Sequence, residues 1–414
     1  MTGDMLAQLR IKMESLTSQQ DGAECCIYRV PNSFRKVRPE AYTPQLISIG
    51  PLHHGDERLK DMEQQKLRYF KQFAEREYWK DMKVDIEDLV ISIKKKEKRI
   101  RASYSENFSE ITSRGFIEMI MLDAVFIIEF LMDLYDCEPD SKRVLPMIFD
   151  IREDLMLLEN QLPFFIIHEI YNNAYRKEKT SIPFLNLATV YLGKYTSSQG
   201  VQNTDWDVVG STHFTDLQRN FMLKGFIERR YIFDRFQLKY NAVMLREAGV
   251  KFQVTGDICL LNITFEEGVL KIPRLEIDYC FERLVRNIMA LERCCYPFEA
   301  YVCSYSKFMD HLINSAEDVG LLVENGIILN SLGDNAAVSN MINKLCETIT
   351  DTYTLYDDIS KKMNTHYENR CNRRKATLKL VYFTNVWRGT ATVAAAILLI
   401  LTLIQTITSV KSVF

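Results

Sequence analysis

The stretch FIEMIMLDAVFIIEFLMDL, residues 116–134, decides the fold class of this 414-residue chain. It is almost continuously apolar, yet it contains Glu118, Asp123 and Glu129. An acidic side chain near the middle of a bilayer costs about 2.5–3.5 kcal/mol on insertion scales. We therefore predict that this stretch is a central helix of the folded body, with its carboxylates at the edges or hydrogen-bonded.

Helical periodicity continues on both sides of that stretch. Residues 59–79 place apolar side chains along one stripe with charges between them, which is typical of an amphipathic helix. Residues 80–101 continue in the same style. Residues 147–161 predict another helix that must stop before Pro163, because the residue preceding a proline is pushed out of the α region. Pro163 then opens a helix over 164–177.

The pattern changes after Gly249, which follows the helical stretch AVMLREA and is a helix C-terminal signal. Residues 250–278 alternate apolar and polar side chains between turn signals at 255–257 and 267–268, which predicts two or three short antiparallel strands. Pro273 belongs at an edge or a strand end, because it cannot donate to a ladder. Helices resume at Phe281. The predicted fold is mainly α, a large helical body with a small antiparallel β element near 250–278 and a C-terminal transmembrane helix.

The transmembrane prediction rests on GTATVAAAILLILTLIQTITSV, residues 389–410, which has no ionisable side chain. As a helix, these residues span about 33 Å, and a hydrocarbon core is about 30 Å thick. Trp387 and Arg388 on one side and Lys411 on the other are interpreted as membrane-interface anchors. The alternative is a last helix buried in the protein's own core.

The chain organisation predicted from these features has four parts. Residues 1–26 form an N-terminal extension, 27–388 the helical domain with a loop or insertion at 196–212, 389–410 the anchor, and 411–414 a short tail. Six Lys/Arg residues shortly before the anchor and one after it favour a single-pass membrane protein whose body lies in the cytosol. An N-outside topology is the alternative.

Charge indicates which partners to expect. The net charge is −3, but from residue 369 onward there are seven basic residues and no acidic one, so the rest of the chain is acidic. This collar fits an anionic membrane surface, and the acidic remainder argues against duplex nucleic acid. The run Lys94 to Arg101, KKKEKRIR, lacks interleaved aromatic residues and is typical of a solvated helix face; nucleic-acid binding through it is a weaker alternative.

The ten cysteines include no C-x-x-C pair, so structural zinc is not expected and the thiols indicate a reducing compartment. The adjacent pairs Cys25–Cys26 and Cys294–Cys295 are only a faint redox signal. A G-x-S-x-G elbow, a P-loop, a G-x-G-x-x-G fingerprint and an H-E-x-x-H motif are all missing from the sequence.

Candidate catalytic residues are few. His53 and His54 are the only histidine pair, and their setting between Pro51 and Gly55 predicts a turn whose imidazoles bond nearby backbone. The acidic residues of 116–134 lie in an apolar setting that can raise a pKa. We predict no catalytic residue, no cofactor, no metal and no small-molecule substrate. An enzyme of unrecognised type that uses His53, His54 or the buried acids is the alternative.

Several stretches together carry a resemblance. The chain resembles the plant domain-of-unknown-function 247 family over nearly its whole length from about Ile27. The stretches that match the family in order are IYRVP (27–31), AYTPQLISIGPLHHG (41–55), DLMLLENQLPFFII (154–167), REAGVKF (246–252), GVLKIPRLEID (268–278), RNIMALERC (286–294), the segment around FMDHLINSAEDVGLLVENGIILNSLG (308–333) and the final predicted anchor. Two positions depart from the family pattern, where Asp-Ala replaces Asp-Gly at 123–124 and Glu-Arg-Cys replaces Glu-Gln-Cys at 292–294.

The resemblance implies a plant protein that ends in a single membrane span, without an established catalytic activity. Some grass members of the family are associated with recognition between pollen and stigma. We therefore expect a non-enzymatic, membrane-anchored protein that acts in protein–protein interaction, recognition or signalling, with a membrane-associated protein partner besides the lipid bilayer. The family-motif residues, of unknown role, are Tyr28, His53, His54, Glu159, Asn160 and Gln161.

Overall fold

The computed structural model describes residues 25–75, 86–135, 147–175, 182–192, 210–226, 237–347, 355–377 and 386–413. The chain forms two compact units, and each unit is built from several segments that are separate in the sequence. Among the described residues, the first unit takes in those between 25 and 226, those between 278 and 303, and residue 347; the second takes in those between 237 and 277, between 304 and 346, and between 355 and 413. The described residues are mainly helical, as predicted.

The first unit is built from helices. They are α1 (Asn32–Arg35), α2 (Lys60–Glu75), α3 (Ile86–Ala102), α4 (Ser113–Tyr135), α5 (Ile148–Leu155), α6 (Phe164–Tyr175), α7 (Phe184–Leu192), α8 (Phe214–Leu223) and α10 (Phe281–Cys295). Three single turns of 3-10 helix, Pro39–Tyr42, Pro51–His53 and Glu57–Leu59, shape the segment between α1 and α2.

Helix α4 is the central helix that residues 116–134 predict. Its side chains are buried on every face between Phe116 and Leu131, apart from Glu118 and Leu122. Phe126 meets the edge of Tyr69 from α2 at 5.2 Å and stacks on Phe130 at 5.6 Å. A helix that is apolar all round has to be surrounded, and α2, α3, α6 and α7 pack around this one.

The helix predicted over 147–161 ends earlier than expected, at Leu155. The last carbonyls of a helix have no partner within it, and here side chains from further along the chain bind them. Asn160 Nδ2 donates to Asp154 O at 3.0 Å, and Gln161 Nε2 donates to Leu155 O at 2.6 Å. These amides cap α5, so the chain turns there. The next helix, α6, begins directly after Pro163, as predicted.

The second unit combines helices with short strands. Its helices are α9 (Ala242–Glu247), α11 (Tyr301–Leu312, which begins in the first unit), α12 (Ala316–Glu324), α13 (Asn335–Cys346), α14 (Asp357–Glu368), α15 (Arg370–Thr377) and α16 (Val386–Val413). Its strands are β1 (Lys251–Thr255), β2 (Thr264–Glu266), β3 (Val269–Pro273), β4 (Leu275–Ile277) and β5 (Ile328–Asn330).

The strands lie where the alternation places them, but the prediction of a purely antiparallel element is wrong. Strand β2 pairs antiparallel with β3 through the turn at Glu267 and Gly268, whose φ angles of 50° and 76° suit a tight hairpin. Strand β1 pairs parallel with β3, and β4 pairs parallel with β5. The reason is that the chain crosses over between β1 and β3, which alternation along one strand does not reveal. Pro273 closes β3, as expected of a strand end.

The C-terminal stretch is one helix, α16, but the predicted transmembrane helix at 389–410 is wrong. Within the described residues, no helix has both the length and the apolar character needed to cross a membrane. The prediction rested on the uncharged run at 389–410, and the absence of charge does not by itself establish a membrane span.

Some predictions fall on parts of the chain outside that description. Residues 1–24 and most of the predicted loop at 196–212 lie outside the described residues, as do the side chains of Trp387, Arg388 and Lys411. The predicted domain bounds stay predictions.

Candidate functional site

The family-motif residues His53 and Glu159 meet in the first unit. Glu159 follows α5, and its side chain is fully buried. Its carboxylate accepts a hydrogen bond from Val30 N at 2.6 Å and forms an ion pair with Arg35. His53 Nε2 lies 3.3 Å from Glu159 Oε2, and Arg29 Nη1 lies 3.6 Å from the same oxygen. We call Arg29, Arg35, His53 and Glu159 the Glu159 cluster.

The electrostatics of the Glu159 cluster favour the ionised form of the Glu159 side chain. Burial raises the pKa of Glu159, but the hydrogen bonds from His53, Arg35 and Val30 together lower it by more. The net pKa is below the usual value, so the group is ionised at neutral pH. A carboxylate held this way stabilises the N-terminal segment and is a poor proton donor.

Asn160 and Gln161, which follow Glu159, also bind backbone. Asn160 Oδ1 accepts from Ile49 N at 2.6 Å, while its Nδ2 donates to Ile47 O at 2.9 Å. Gln161 Oε1 accepts from Phe214 N at 2.9 Å, at the start of α8. The motif Glu-Asn-Gln therefore connects three separate segments of the first unit through their main chains. This is a structural role.

The histidine-containing segment 41–55 is held by two further buried carboxylates. Asp154 accepts from three consecutive amides, Gln45 N, Leu46 N and Ile47 N, at 2.7–3.0 Å. Asp123 accepts from Gly50 N at 2.8 Å. A Cβ at Gly50 would lie 2.5 Å from the Gln161 carbonyl oxygen, so only glycine fits this close approach.

The three acidic residues of 116–134 occupy three different environments. Glu118 is exposed. Asp123 is buried and pairs with Lys66 Nζ at 2.6 Å. Burial lowers the pKa of Lys66, but Asp123 and Glu63 raise it by more, so the ammonium stays charged. Glu129 is buried. The pKa of the Tyr69 hydroxyl is raised by burial first, then by Asp133, and least by Glu129.

Tyr28 and His54 lie outside the Glu159 cluster. His54 is exposed, so the two adjacent histidines do not act on one site. Tyr28 is half-buried; burial and its hydrogen bond with the Cys25 thiol raise the pKa of its hydroxyl. The two adjacent histidines therefore lie in different surroundings, His53 beside Glu159 and His54 exposed.

A buried pair that sequence reasoning missed lies at Glu292 on α10. Glu292 Oε1 accepts from Arg219 Nε at 3.1 Å and from Val302 N at 3.0 Å, and Oε2 accepts from Cys303 N at 2.9 Å. Burial raises the pKa of Glu292, while Arg219 and the two amides oppose that rise. The available signal was an acidic residue within the apolar stretch NIMALE.

The second unit has an open groove of about 900 Å³ between the β2–β3 hairpin and α14. We call it the His366 groove. The His366 ring meets the edge of Phe265 at 5.8 Å, and its Nδ1 lies 3.3 Å from Asn372 Nδ2. Burial lowers the pKa of His366, and a hydrogen bond with the Ala248 backbone only partly offsets that. The rim carries both signs of charge, from Glu266, Glu267, Lys271 and Lys362.

The His366 groove is lined by side chains that can make polar contacts. The His366 imidazole is neutral at neutral pH. The lining of the groove also includes the side-chain amides of Asn369 and Asn372. Across the described ranges, no group of three or more His, Cys, Asp or Glu side chains is arranged to hold a metal ion.

The basic run at 94–101 is partly used within the protein. Lys96 pairs with Glu169, and Arg101 donates to Phe108 O at 2.7 Å and to Ile111 O at 2.9 Å. Arg99 lies over the Phe165 ring at 4.1 Å. The exposed cations of the run are Lys94, Lys95, Lys98 and Arg99.

The fold and these sites define a mainly α protein in which buried polar side chains hydrogen-bond to the backbone of its loops. The chain belongs to the DUF247 family, described as plant protein of unknown function, and it matches that family over residues 27–401. This confirms the resemblance drawn from the motifs.

Two relatives from Arabidopsis thaliana align along almost the whole chain. UPF0481 protein At3g47200 is 26% identical, over 94% of this chain and 87% of the relative. Putative UPF0481 protein At3g02645 is 22% identical, over 94% of this chain and 90% of the relative. No solved structure matches the chain.

Proposed function

We propose that this chain is a non-enzymatic protein that binds another protein through α16. The observation that carries the proposal is a continuous exposed apolar surface on that helix. Nine large apolar side chains are each between 47% and 69% exposed, namely Val393, Ile397, Leu398, Leu399, Ile400, Leu401, Leu403, Ile404 and Ile407. Apolar surface of this extent is a mark of an interaction site.

The polar residues of α16 favour a protein as the occupant. The hydroxyls of Thr402 and Thr406 donate to carbonyls four residues earlier, both at 2.8 Å, so they need no outside partner. The amide of Gln405 is exposed and makes no hydrogen bond within the described part of the chain. Burying an unpaired amide costs about 1–3 kcal/mol. A partner with an apolar helix or groove and one hydrogen-bonding group opposite Gln405 fits this surface.

The absence of a catalytic role is supported by how the candidate residues are used. His53 and Glu159 contact each other, and Glu159 also holds Arg35 and Val30 N. Asp154 and Glu292 hold backbone amides in the same way. These side chains would have to break the hydrogen bonds and ion pairs that hold the structure before they could transfer a proton.

The experiment is site-specific photo-crosslinking of the full chain in plant cells. A photoreactive amino acid replaces Leu398 in one variant and Tyr279 in a control variant, because Tyr279 is 81% exposed on the first unit. We expect an adduct with a defined protein from position 398 and not from 279. Purified partner then binds wild type, and Gln405→Leu weakens that binding about tenfold, as expected for one lost buried hydrogen bond.

Two outcomes would overturn the proposal. One is an adduct from position 398 that contains only lipid, with no protein. The other is an equal yield of the same adducts from both positions, which would show that α16 offers no specific surface.

A further inference from the structure

The fold brings together the two adjacent cysteine pairs, which are far apart in sequence. Cys295 is the last residue of α10, and Cys26 lies at the start of the described chain. Cys295 Sγ lies 3.7 Å from the carbonyl oxygen of Cys26, across a sequence separation of 269 residues. Both members of each pair are half-buried.

The backbone at Cys26 is held firmly on this spot. Cys26 N and Ile27 N donate to Ser103 O at 3.0 and 2.9 Å. The carbonyl of Cys26 also accepts from His213 Nε2 at 3.0 Å. Cys295 is placed by the end of a helix that is buried along most of its length. The proximity of the two residues is therefore built into the first unit.

The cross-pairing is favoured over pairing within each doublet. Neighbouring residues on a helix point in different directions, so Cys294 and Cys295 cannot join while α10 is intact. Cys295 interacts electrostatically with Cys26 more strongly than with Cys25, and Cys294 interacts with Cys25. Burial raises the pKa of the Cys295 thiol above its ordinary value, so this thiol is protonated at neutral pH. Oxidation here should be slow at pH 7 and faster at higher pH.

We propose that Cys26 and Cys295 are a redox modification site, which a low-molecular-weight disulfide such as glutathione disulfide converts into an intrachain disulfide. The thiolate of one cysteine attacks the oxidant, forms a mixed disulfide and releases one glutathione. The second thiolate attacks the protein sulfur of that mixed disulfide and releases the other glutathione. The two protein thiols lose two protons and two electrons, and the oxidant becomes two glutathione thiols.

The disulfide would fasten the N-terminal segment of the first unit to the end of α10. Linking residues this far apart removes many conformations from the unfolded chain, so the oxidised form is expected to be the more stable one. The bond would thus report the redox state of the compartment as a change in stability.

The test is oxidation of the full-length protein, purified reduced and then incubated with glutathione disulfide at pH 7, 8 and 9. Peptide mapping without reduction is expected to find a linked peptide that holds Cys26 and Cys295. The rate of its appearance should rise by up to about tenfold per pH unit, following the thiolate fraction. The melting temperature should rise by several degrees on oxidation and return with dithiothreitol.

The controls are Cys26→Ser, Cys295→Ser and Cys295→Ala, together with Cys371→Ser at an exposed cysteine of the second unit. The linked peptide and the temperature shift are expected in Cys371→Ser and not in the other three, whose folding is checked by circular dichroism. Separate glutathione adducts on Cys26 and Cys295 at pH 9 would overturn the proposal. So would a link between Cys25 and Cys294 alone, or two thiols that stay free.

Discussion

The Glu159 cluster of the first unit and the His366 groove of the second unit both place a histidine among charged side chains, yet they differ in how those charges are satisfied. In the Glu159 cluster the carboxylate is fully buried and bound by Arg35, His53 and a backbone amide. In the His366 groove the ring packs against Phe265 and Gly268, while charged side chains line the rim. The contrast shows that the buried charge of Glu159 holds segments of the first unit together, whereas the polar side chains that remain open to solvent line the His366 groove.

The largest expected effect comes from breaking the Glu159 cluster. We expect Glu159→Gln to lower the free energy of unfolding by about 3 kcal/mol, because the fully buried carboxylate loses its charge and its ion pair with the partly buried Arg35 is broken. Urea unfolding of the full chain measures this. The matched control is Glu106→Gln, whose partner Arg29 is 44% exposed, and its cost should stay below about 1 kcal/mol. Equal costs for the two variants would contradict the structural role of Glu159.

The same cluster predicts how stability depends on pH. The folded pKa of Glu159 lies below its usual value of about 4.5, so its contribution is present above that pH and is lost as pH falls through the folded pKa. Wild type should therefore lose more stability than Glu159→Gln between pH 5 and pH 3. Parallel stability curves for the two proteins over this range would refute the assignment.

In the second unit, the close packing at Gly268 can be tested directly. Gly268 has a φ of +76°, and an added Cβ would lie 2.9 Å from His366 Cε1. We expect Gly268→Ala to cost about 2 kcal/mol through backbone strain and this clash. Gly256→Ala is the control, since nothing lies within 4 Å of its Cβ, and it should change stability by less than about 0.5 kcal/mol.

His366→Ala tests the origin of that cost. If the clash with the imidazole matters, Gly268→Ala should cost less in the His366→Ala background than in wild type. An unchanged cost would assign the whole effect to the backbone angle. Thermal unfolding of the four proteins, compared as a double-mutant cycle, measures the difference.

The smallest effect should have the opposite pH dependence to that of Glu159. Burial raises the pKa of Asp310 on α11 to about 6, which Lys307 only partly offsets. The native state therefore binds this proton more tightly than the unfolded chain does, and that contribution is lost as pH rises through 6. Asp310→Asn should stabilise the protein at pH 7.5 by less than about 1 kcal/mol, because the half-buried carboxyl is screened by water.

The gain from Asp310→Asn should shrink as the pH is lowered from 7.5 to 4. Asp358→Asn, at an exposed residue that pairs with Lys362 at 2.7 Å, provides the comparison. A gain from Asp310→Asn that is independent of pH would show that the carboxyl is not the source of the effect.

The elements that could be predicted from the sequence are those stabilised by residues close together in the chain. The helical character of 116–134, the helix after Pro163 and the hairpin at Glu267 and Gly268 were all readable from periodicity or turn chemistry. The transmembrane prediction is wrong, because no helix within the described residues is both long enough and apolar enough to cross a membrane. The prediction of a purely antiparallel element is also wrong, because strand direction depends on the crossover between β1 and β3.

The candidate sites were less readable, because their partners are far apart in the chain. Glu159 was named from its motif, but the motif does not say that Val30 N and Arg35 bind its carboxylate. The two adjacent cysteine pairs are visible in the sequence, but nothing in the sequence of either pair predicts that the two pairs lie close together in the fold. Glu292 carried only a weak signal, an acidic residue in an apolar stretch, which does not predict Arg219 as its partner.

The sequence by itself determined the mainly helical character, the main turn signals and membership of the plant family, since each depends on residues close together or on motifs in order. Tertiary structure alone decided which acids are buried and paired, where α5 ends, and that Cys26 lies beside Cys295. The physical reason is that a helix or a turn is stabilised within a few residues. A buried charge or a thiol contact instead depends on desolvation and on distances between segments more than a hundred residues apart.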